Sequence, residues 1–411
     1  MGRESVAVRS LLLVGLVMVL VGGCSCEGPR ARVPTMGPEV LRIRVRLGDE
    51  APAVTVAVTG PWRLTGSAGL IASGSELGWT EVQCSGGVIF GDRPAVSGPV
   101  ELDAERPGSL WVRQMVGGQP RDRSYRGLLR FVPTENGTVR VINVVPLEAY
   151  LAGVLANELY GTWHVEAYKA QAVAARTYTL VEYKRRGRYD FDVYDSTRSQ
   201  VYGGVGTETP TSWAAMVETW GIVAAYQGPD GKPVLLKTYY HSTCGGETAP
   251  AGTVFGGPTP PPLAGGVKCT FCRKSSKYRW PDVVLLKSEI GDALRRSGIA
   301  ELERLGPVQR IEVAETTAGG RAARIRVVDA AGTSVLVRAD YWRSLVGAGK
   351  VPSTWFTVED QPDRIVLRDG RGYGHGVGLC QWGAEFLAAH GKTGEQILRY
   401  YYPKVQLVRA Y

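Results

Sequence analysis

The alternation of apolar and polar positions sets the first division of the chain. From Leu41, apolar residues alternate with charged ones in Leu41-Arg42-Ile43-Arg44-Val45-Arg46-Leu47, and a similar pattern returns in Val54-Thr55-Val56-Ala57-Val58. A period of two puts one side of each segment against a core and the other in water, so both are predicted as half-buried strands. Turn residues separate further segments of this kind as far as Val145, which makes residues 41–140 a β-rich N-terminal region. At Val145-Pro146 the period changes. Leu147, Leu151, Val154 and Leu155 follow at three- and four-residue steps, and Pro146 suits a first-turn position. A second helix is predicted from about Val165 to Lys184, before the turn Arg185-Arg186-Gly187. Mixed strands, a Gly/Pro-rich loop over residues 253–266, a helical segment around Leu286 to Ser297 and a helix after Gly383 complete residues 141–411. The predicted class is α+β, a β-rich region followed by a mixed domain of helices and strands.

The first residues carry a different pattern. Arg3 and Arg9 precede an apolar run from Leu11 to Val21, too short to cross a bilayer comfortably and in keeping with a signal-peptide core. The run ends in Val21-Gly22-Gly23-Cys24, which resembles a bacterial lipobox, where the cysteine is lipidated and becomes the mature N-terminus. Residues 1–23 are then the signal, Cys24 the lipidation site and residues 24–40, rich in Gly, Pro and Arg, a tether. An uncleaved anchor helix is the alternative; both put the bulk of the protein outside the cytoplasm, held at a bacterial membrane.

Composition changes this picture little. Over 411 residues, 44% hydrophobic and 21% charged positions are those of an ordinary globular protein. The formal charge is +9, and losing Arg3, Glu4 and Arg9 with the signal leaves +8. A basic surface favours polyanions; with no dedicated nucleic-acid motif, wall polymers and anionic lipid are the expected partners.

Several residues are candidates for chemistry. Glu158 lies eleven positions after Leu147, about three whole helical turns, and so shares the apolar face of its helix. A carboxyl that is partly buried near a helix C-terminus is held towards its protonated form, as a general acid requires. A structural ion pair is the alternative. Lys169 and Arg176, seven residues apart, share a face of the next helix, with Ala172 between them, a positive stripe that can meet a polar ligand or, alternatively, be solvated or paired with nearby acids. His375 sits among Gly374, Gly376 and Gly378, a setting that brings backbone close to a partner and suits either a glycan contact or an ordered tight loop. His241 and Ser242 form a second polar pair, without the nucleophile elbow of a serine hydrolase. Of seven cysteines, Cys269 and Cys272 have the spacing of half a zinc site, and Cys244 and Cys380 are the expected other half. Two disulfides among these four remain the alternative in an oxidising compartment.

Three ordered blocks carry a family resemblance. The first runs from Val145-Pro146-Leu147-Glu148-Ala149-Tyr150 through Glu158 to Lys169-Ala170-Gln171-Ala172-Val173-Ala174-Ala175-Arg176-Thr177-Tyr178. The second is His241-Ser242-Thr243-Cys244-Gly245-Gly246-Glu247-Thr248, and the third is Gly372-Tyr373-Gly374-His375-Gly376-Val377-Gly378-Leu379-Cys380-Gln381-Trp382-Gly383, with Tyr401-Tyr402-Pro403 near the end. Together they resemble the stage II sporulation protein D family over roughly residues 120–411. The resemblance implies a glycan-binding cleft and a lytic transglycosylase acting on peptidoglycan strands stripped of stem peptides. It implies Glu158 as the acid/base and Lys169 and Arg176 as residues lining the glycan cleft; His241, Ser242, His375 and Gln381 are expected as further substrate contacts. No cofactor is implied for catalysis. Zinc occurs in some members with a different ligand mix, so a structural metal is supported without its ligands being fixed. Around Glu158 this chain has Asn157 and Leu159-Tyr160-Gly161-Thr162 where the family more often has a methionine and a proline, so the cleft edge is expected to differ. Two other readings stay open: a non-catalytic, glycan-binding enhancer of a cell-wall amidase, and a scaffold for a remodelling complex.

Overall fold

A computed structural model describes residues 41–105, 108–116 and 119–411. The expected signal, the tether and Cys24 lie outside the described residues. Among those residues, no helix is long and apolar enough to cross a membrane.

The alternation in the first strand, Arg42–Ala51, has the predicted effect. Ile43, Val45 and Leu47 are buried, while Arg44 turns outward and donates to Asp192 from Nε at 3.2 Å. This strand pairs antiparallel with Val139–Pro146, which pairs in turn with Leu128–Pro133. They belong to a seven-stranded sheet that continues through Val100–Ala104, Trp62–Gly66 and Gly69–Gly74. A second, five-stranded sheet has Ala53–Thr59 at its centre. Val56, Val58 and Val112 of the second sheet and Leu64, Leu102 and Phe131 of the first are buried in one apolar core.

Helix α1 (Leu147–Glu158) follows directly from the strand Val139–Pro146. Pro146 is its N-cap, one position earlier than expected, and is also the last strand residue. Every residue from Leu147 to Leu155 is buried, so α1 has no solvent face along that length. It lies between the first sheet, helix α2 (Val165–Arg185) and helix α3 (Pro210–Glu218). The alanines at 170, 172, 174 and 175 are all buried, and their small side chains let helices α3, Gln381–Ala389 and Gly394–Tyr401 pack closely on α2.

The boundary expected between residues 140 and 141 falls inside the strand Val139–Pro146. The short strand Val193–Tyr194, after α2, joins the first sheet parallel to Arg42–Ala51, and the main core includes residues from Ile43 to Ala410. The strands and helices are therefore one body. A separate core lies within residues 283–371, where two three-stranded sheets and the helices Lys287–Arg295 and Ala339–Val346 enclose Leu285, Ile290, Ile325, Trp342, Phe356 and Leu367. This inserted domain was not separated by the sequence pattern.

Candidate functional site

Glu158 is the last residue of α1, half-buried on the wall of a cavity of about 1110 Å³. The backbone N–H of Val201 donates to its Oε1 at 3.0 Å, the Gln381 amide donates to Oε2 at 3.2 Å, and the Tyr240 hydroxyl lies 3.5 Å from Oε1. Burial raises its pKa above the ordinary carboxylate range, although all three donors act against the rise. The carboxyl is thus fixed in position and biased towards holding a proton.

A short parallel pair of strands gathers the other expected residues. Tyr240–His241 lies beside Leu379–Cys380, in register Tyr240 with Leu379 and His241 with Cys380. This pairing joins the second and third sequence blocks, and it brings His241, Ser242, His375 and Gln381 to the same cavity as Glu158. Val377 orients both imidazoles: its N–H donates to His375 Nδ1 at 3.0 Å, and its carbonyl accepts from His241 Nδ1 at 3.1 Å. His241 therefore carries its hydrogen on Nδ1, and its buried Nε2 has no hydrogen-bond partner among the described residues. Burial, with nearby Arg321 adding to it, lowers the His241 pKa to about 3, and burial and His241 itself lower that of His375. Both rings are neutral near pH 7 and serve as hydrogen-bonding groups.

Two expected contacts lie elsewhere. Arg176 has a side-chain exposure of 0% and makes a two-point ion pair with Glu148, Nε to Oε1 at 2.8 Å and NH2 to Oε2 at 2.7 Å. Its NH1 donates to the Ile222 carbonyl at 3.1 Å. Lys169 is held by Glu166 at 2.6 Å and by Glu218. Neither side chain lines the cavity. The positive stripe on α2 follows the acid-paired alternative, not the ligand-contact one, with ion pairs to acids on α1, α2 and α3, because packed helices cover this part of α2.

The cavity has further walls, of which Tyr160 is the cleft edge expected to differ. Tyr160, Trp163 and Trp382 form an aromatic cluster with ring centroids 5.2–5.8 Å apart, and Tyr160 is 52% exposed. Asp340, Arg343 and Ser344, from the inserted domain, face Glu158's wall, joined by Lys277 at the base of that domain and by Arg198. Asp340 is engaged by Arg343, NH1 to Oδ1 at 3.5 Å. Trp382 is itself a residue of the third block and Tyr240 adjoins the second, so both were open to inference; the inserted-domain wall carries no motif.

The four expected cysteines converge. The Sγ atoms of Cys244, Cys269, Cys272 and Cys380 all lie within 4.8 Å of one another, each residue buried, with Cys244 and Cys272 3.4 Å apart. A tetrahedral ion with metal–sulfur bonds of about 2.3 Å sets its sulfurs about 3.8 Å apart. Backbone N–H groups of Cys244 and Gly246 donate to cluster sulfurs at 3.3 and 3.4 Å, as they would to thiolates. A side chain at Gly383 would run into the Tyr401 hydroxyl and begin 2.7 Å from Cys269 Sγ, so glycine there makes room for that tyrosine and for the sulfur beside it. These four residues can hold one metal ion. Cys84 is distant from them in role, half-buried and unpaired among the described residues.

Comparison with known proteins places two segments of the chain in families. Residues 135–226 match the family described as stage II sporulation protein, and residues 270–378, which include the inserted domain, match a domain of unknown function. An uncharacterized protein of Brachyspira hyodysenteriae is 34% identical over 285 residues, 69% of this chain and 72% of that protein. The amidase enhancer of Bacillus subtilis is 29% identical over 294 residues, 62% of this chain and only 40% of the relative. Stage II sporulation protein D of Bacillus subtilis is 27% identical over 299 residues, 68% of this chain and 79% of the relative. Residues 135–226, which include the Glu158-bearing helix, are a domain of the stage II sporulation protein D family, and the chain is distantly similar to the amidase enhancer and to stage II sporulation protein D.

Proposed function

We propose that the protein is a lytic transglycosylase acting on the glycan strands of the bacterial cell wall. The observation that carries this reading is the half-buried carboxyl of Glu158, biased towards its protonated form and held by Val201, Gln381 and Tyr240 on the wall of a cavity large enough for several sugar rings. Protonated Glu158 gives its proton to the oxygen between N-acetylmuramic acid and N-acetylglucosamine, and that bond breaks as positive charge develops at C1. The carboxylate then takes the proton from the muramic C6 hydroxyl, whose oxygen bonds to C1. The product is a 1,6-anhydro ring, no water is consumed, and Glu158 ends protonated as it began. Val201, Gln381 and Tyr240 hold the carboxylate during the interval in which it is charged.

The remaining cavity suits a glycan. Tyr160, Trp163 and Trp382 offer apolar faces for sugar rings. Ser242 and His375, both half-buried at the cavity wall, offer polar contacts to the glycan's hydroxyl and acetamido groups. Lys277, Arg343 and Arg198 favour the lactyl carboxylates that become free when stem peptides are removed. The four-cysteine cluster is read as a structural zinc site, closed to substrate and without a catalytic role. An N-terminal lipid on Cys24 would keep the enzyme against a membrane, facing the wall.

The relative named amidase enhancer favours a second reading, a glycan-binding stimulator of a wall amidase. Digesting purified strands, with and without stem peptides, separates the two. Anhydro-muramic ends support the transglycosylase; intact strands, together with faster cleavage by an added wall amidase, support the enhancer.

A further inference from the structure

The two segments that join the inserted domain covalently to the rest of the chain lead to the cysteine cluster, and Arg338 adds a separate contact by donating to the Phe255 carbonyl. The strands of the insertion begin at Val283 and end at Arg371; Cys269 and Cys272 stand before it, and Cys380 stands after it. The fourth cysteine, Cys244, belongs to the family block that packs beneath. Both ends of the insertion are thereby gathered at one point.

A residue of the inserted domain reaches the same point. Arg321 precedes the strand Ala322–Asp329, is 1% exposed, and donates from NH2 to the Cys244 carbonyl. Its Nε and NH1 have no hydrogen-bond partner among the described residues, and Asp340, the acid that acts on it electrostatically, is occupied by Arg343. A side chain at Gly376 would begin 2.6 Å from the guanidinium carbon, so the histidine block is shaped to admit this arginine. A guanidinium stays charged even when buried, and a buried charge without a counter-charge is strongly destabilising. Four thiolates around a divalent ion leave two net negative charges, and they sit where Arg321 ends.

We propose that a divalent metal on Cys244, Cys269, Cys272 and Cys380 is the clasp that fastens the inserted domain to the family core, with Arg321 as its counter-ion. The clasp sets the position of Asp340, Arg343 and Ser344 across the cavity from Glu158. The proposal rests on the zinc reading of the cluster and is independent of the transglycosylase reading, since none of its tests measures glycan cleavage.

The purified protein, kept reduced, is compared with and without zinc by hydrogen exchange read by mass spectrometry. Removing zinc with a chelator is expected to speed exchange about tenfold in residues 317–323 and 339–349, while strands 42–59 are unchanged. No change in those two segments overturns the clasp. Zinc affinity is then measured by competition with a chromophoric chelator. Arg321→Met is expected to weaken it about 10–100-fold, the range typical of lost outer-shell partners, and Arg321→Lys to recover most of the loss. An Arg321→Met affinity equal to the parent's overturns the counter-ion role. Reduced parent protein that binds no added zinc overturns the metal reading and the clasp together, whatever the enzyme does to glycan.

Discussion

Replacing Arg176 with alanine tests whether this arginine serves the fold or the substrate. Its guanidinium gives Glu148 two hydrogen bonds, at 2.8 and 2.7 Å, in a pair whose side chains are 0% and 6% exposed. Arg176→Ala leaves the Glu148 carboxylate inside the core with the Tyr411 hydroxyl as its remaining side-chain donor. Removing one partner of a buried ion pair costs about 3–5 kcal/mol, which is about two to four orders of magnitude in the folding constant. With a urea dependence of about 3 kcal/mol/M, the unfolding midpoint is expected to fall by about 1 M or more. The double replacement Arg176→Met with Glu148→Leu removes both charges, so it is expected to recover most of that loss. Circular dichroism in urea reads both effects. An Arg176→Ala protein with the parent's midpoint but weakened glycan binding would refute the reasoning and return Arg176 to the substrate.

Three further outcomes follow from the site. The folded-state pKa of Glu158 is raised by burial, so the stability this group contributes is full below its ordinary value of 4.5 and is lost as pH rises through the raised value. Glu158→Gln is therefore expected to melt higher than the parent at about pH 8 and level with it at about pH 4; equal melting at both would contradict the shift. Gln381→Leu and Tyr240→Phe each remove a donor that favours the carboxylate, so the alkaline limb of the cleavage profile is expected to move to higher pH. A limb that moves down instead would rule out those hydrogen bonds. Alkylation of the native, zinc-loaded protein is expected to label Cys84 before any of the four buried cluster cysteines, with peptide mapping as the readout.

What the sequence disclosed depended on the range of the interaction. The strand Arg42–Ala51 and helix α2 were legible because burial on one side leaves a local period, and helix capacity is a local property. Glu158 was found, but for an incomplete reason. A shared face with Leu147 says little when every residue from Leu147 to Leu155 is buried, and the informative fact is its place at the open end of the helix. Lys169 and Arg176 do share a face, yet what covers that face comes from residues 148 and 218, and spacing along one helix cannot show it. The cysteine cluster was legible from its Cys-x-x-Cys half and its two partner blocks. Arg321 was not, because nothing local distinguishes a counter-ion that finds its partner 77 residues away. The inserted domain escaped for a similar reason: its strands and helices resemble those around it, and only the three-dimensional contacts separate its core.

The central claim is that Glu158 carries the proton in a water-free cleavage of the glycan. Purified strands freed of stem peptides are incubated with the parent protein and with Glu158→Gln, and the ends are weighed by mass spectrometry. The account predicts 1,6-anhydro-muramic ends from the parent and uncut strands from the variant. Ends that have gained water, or equal cleavage by both proteins, would contradict it.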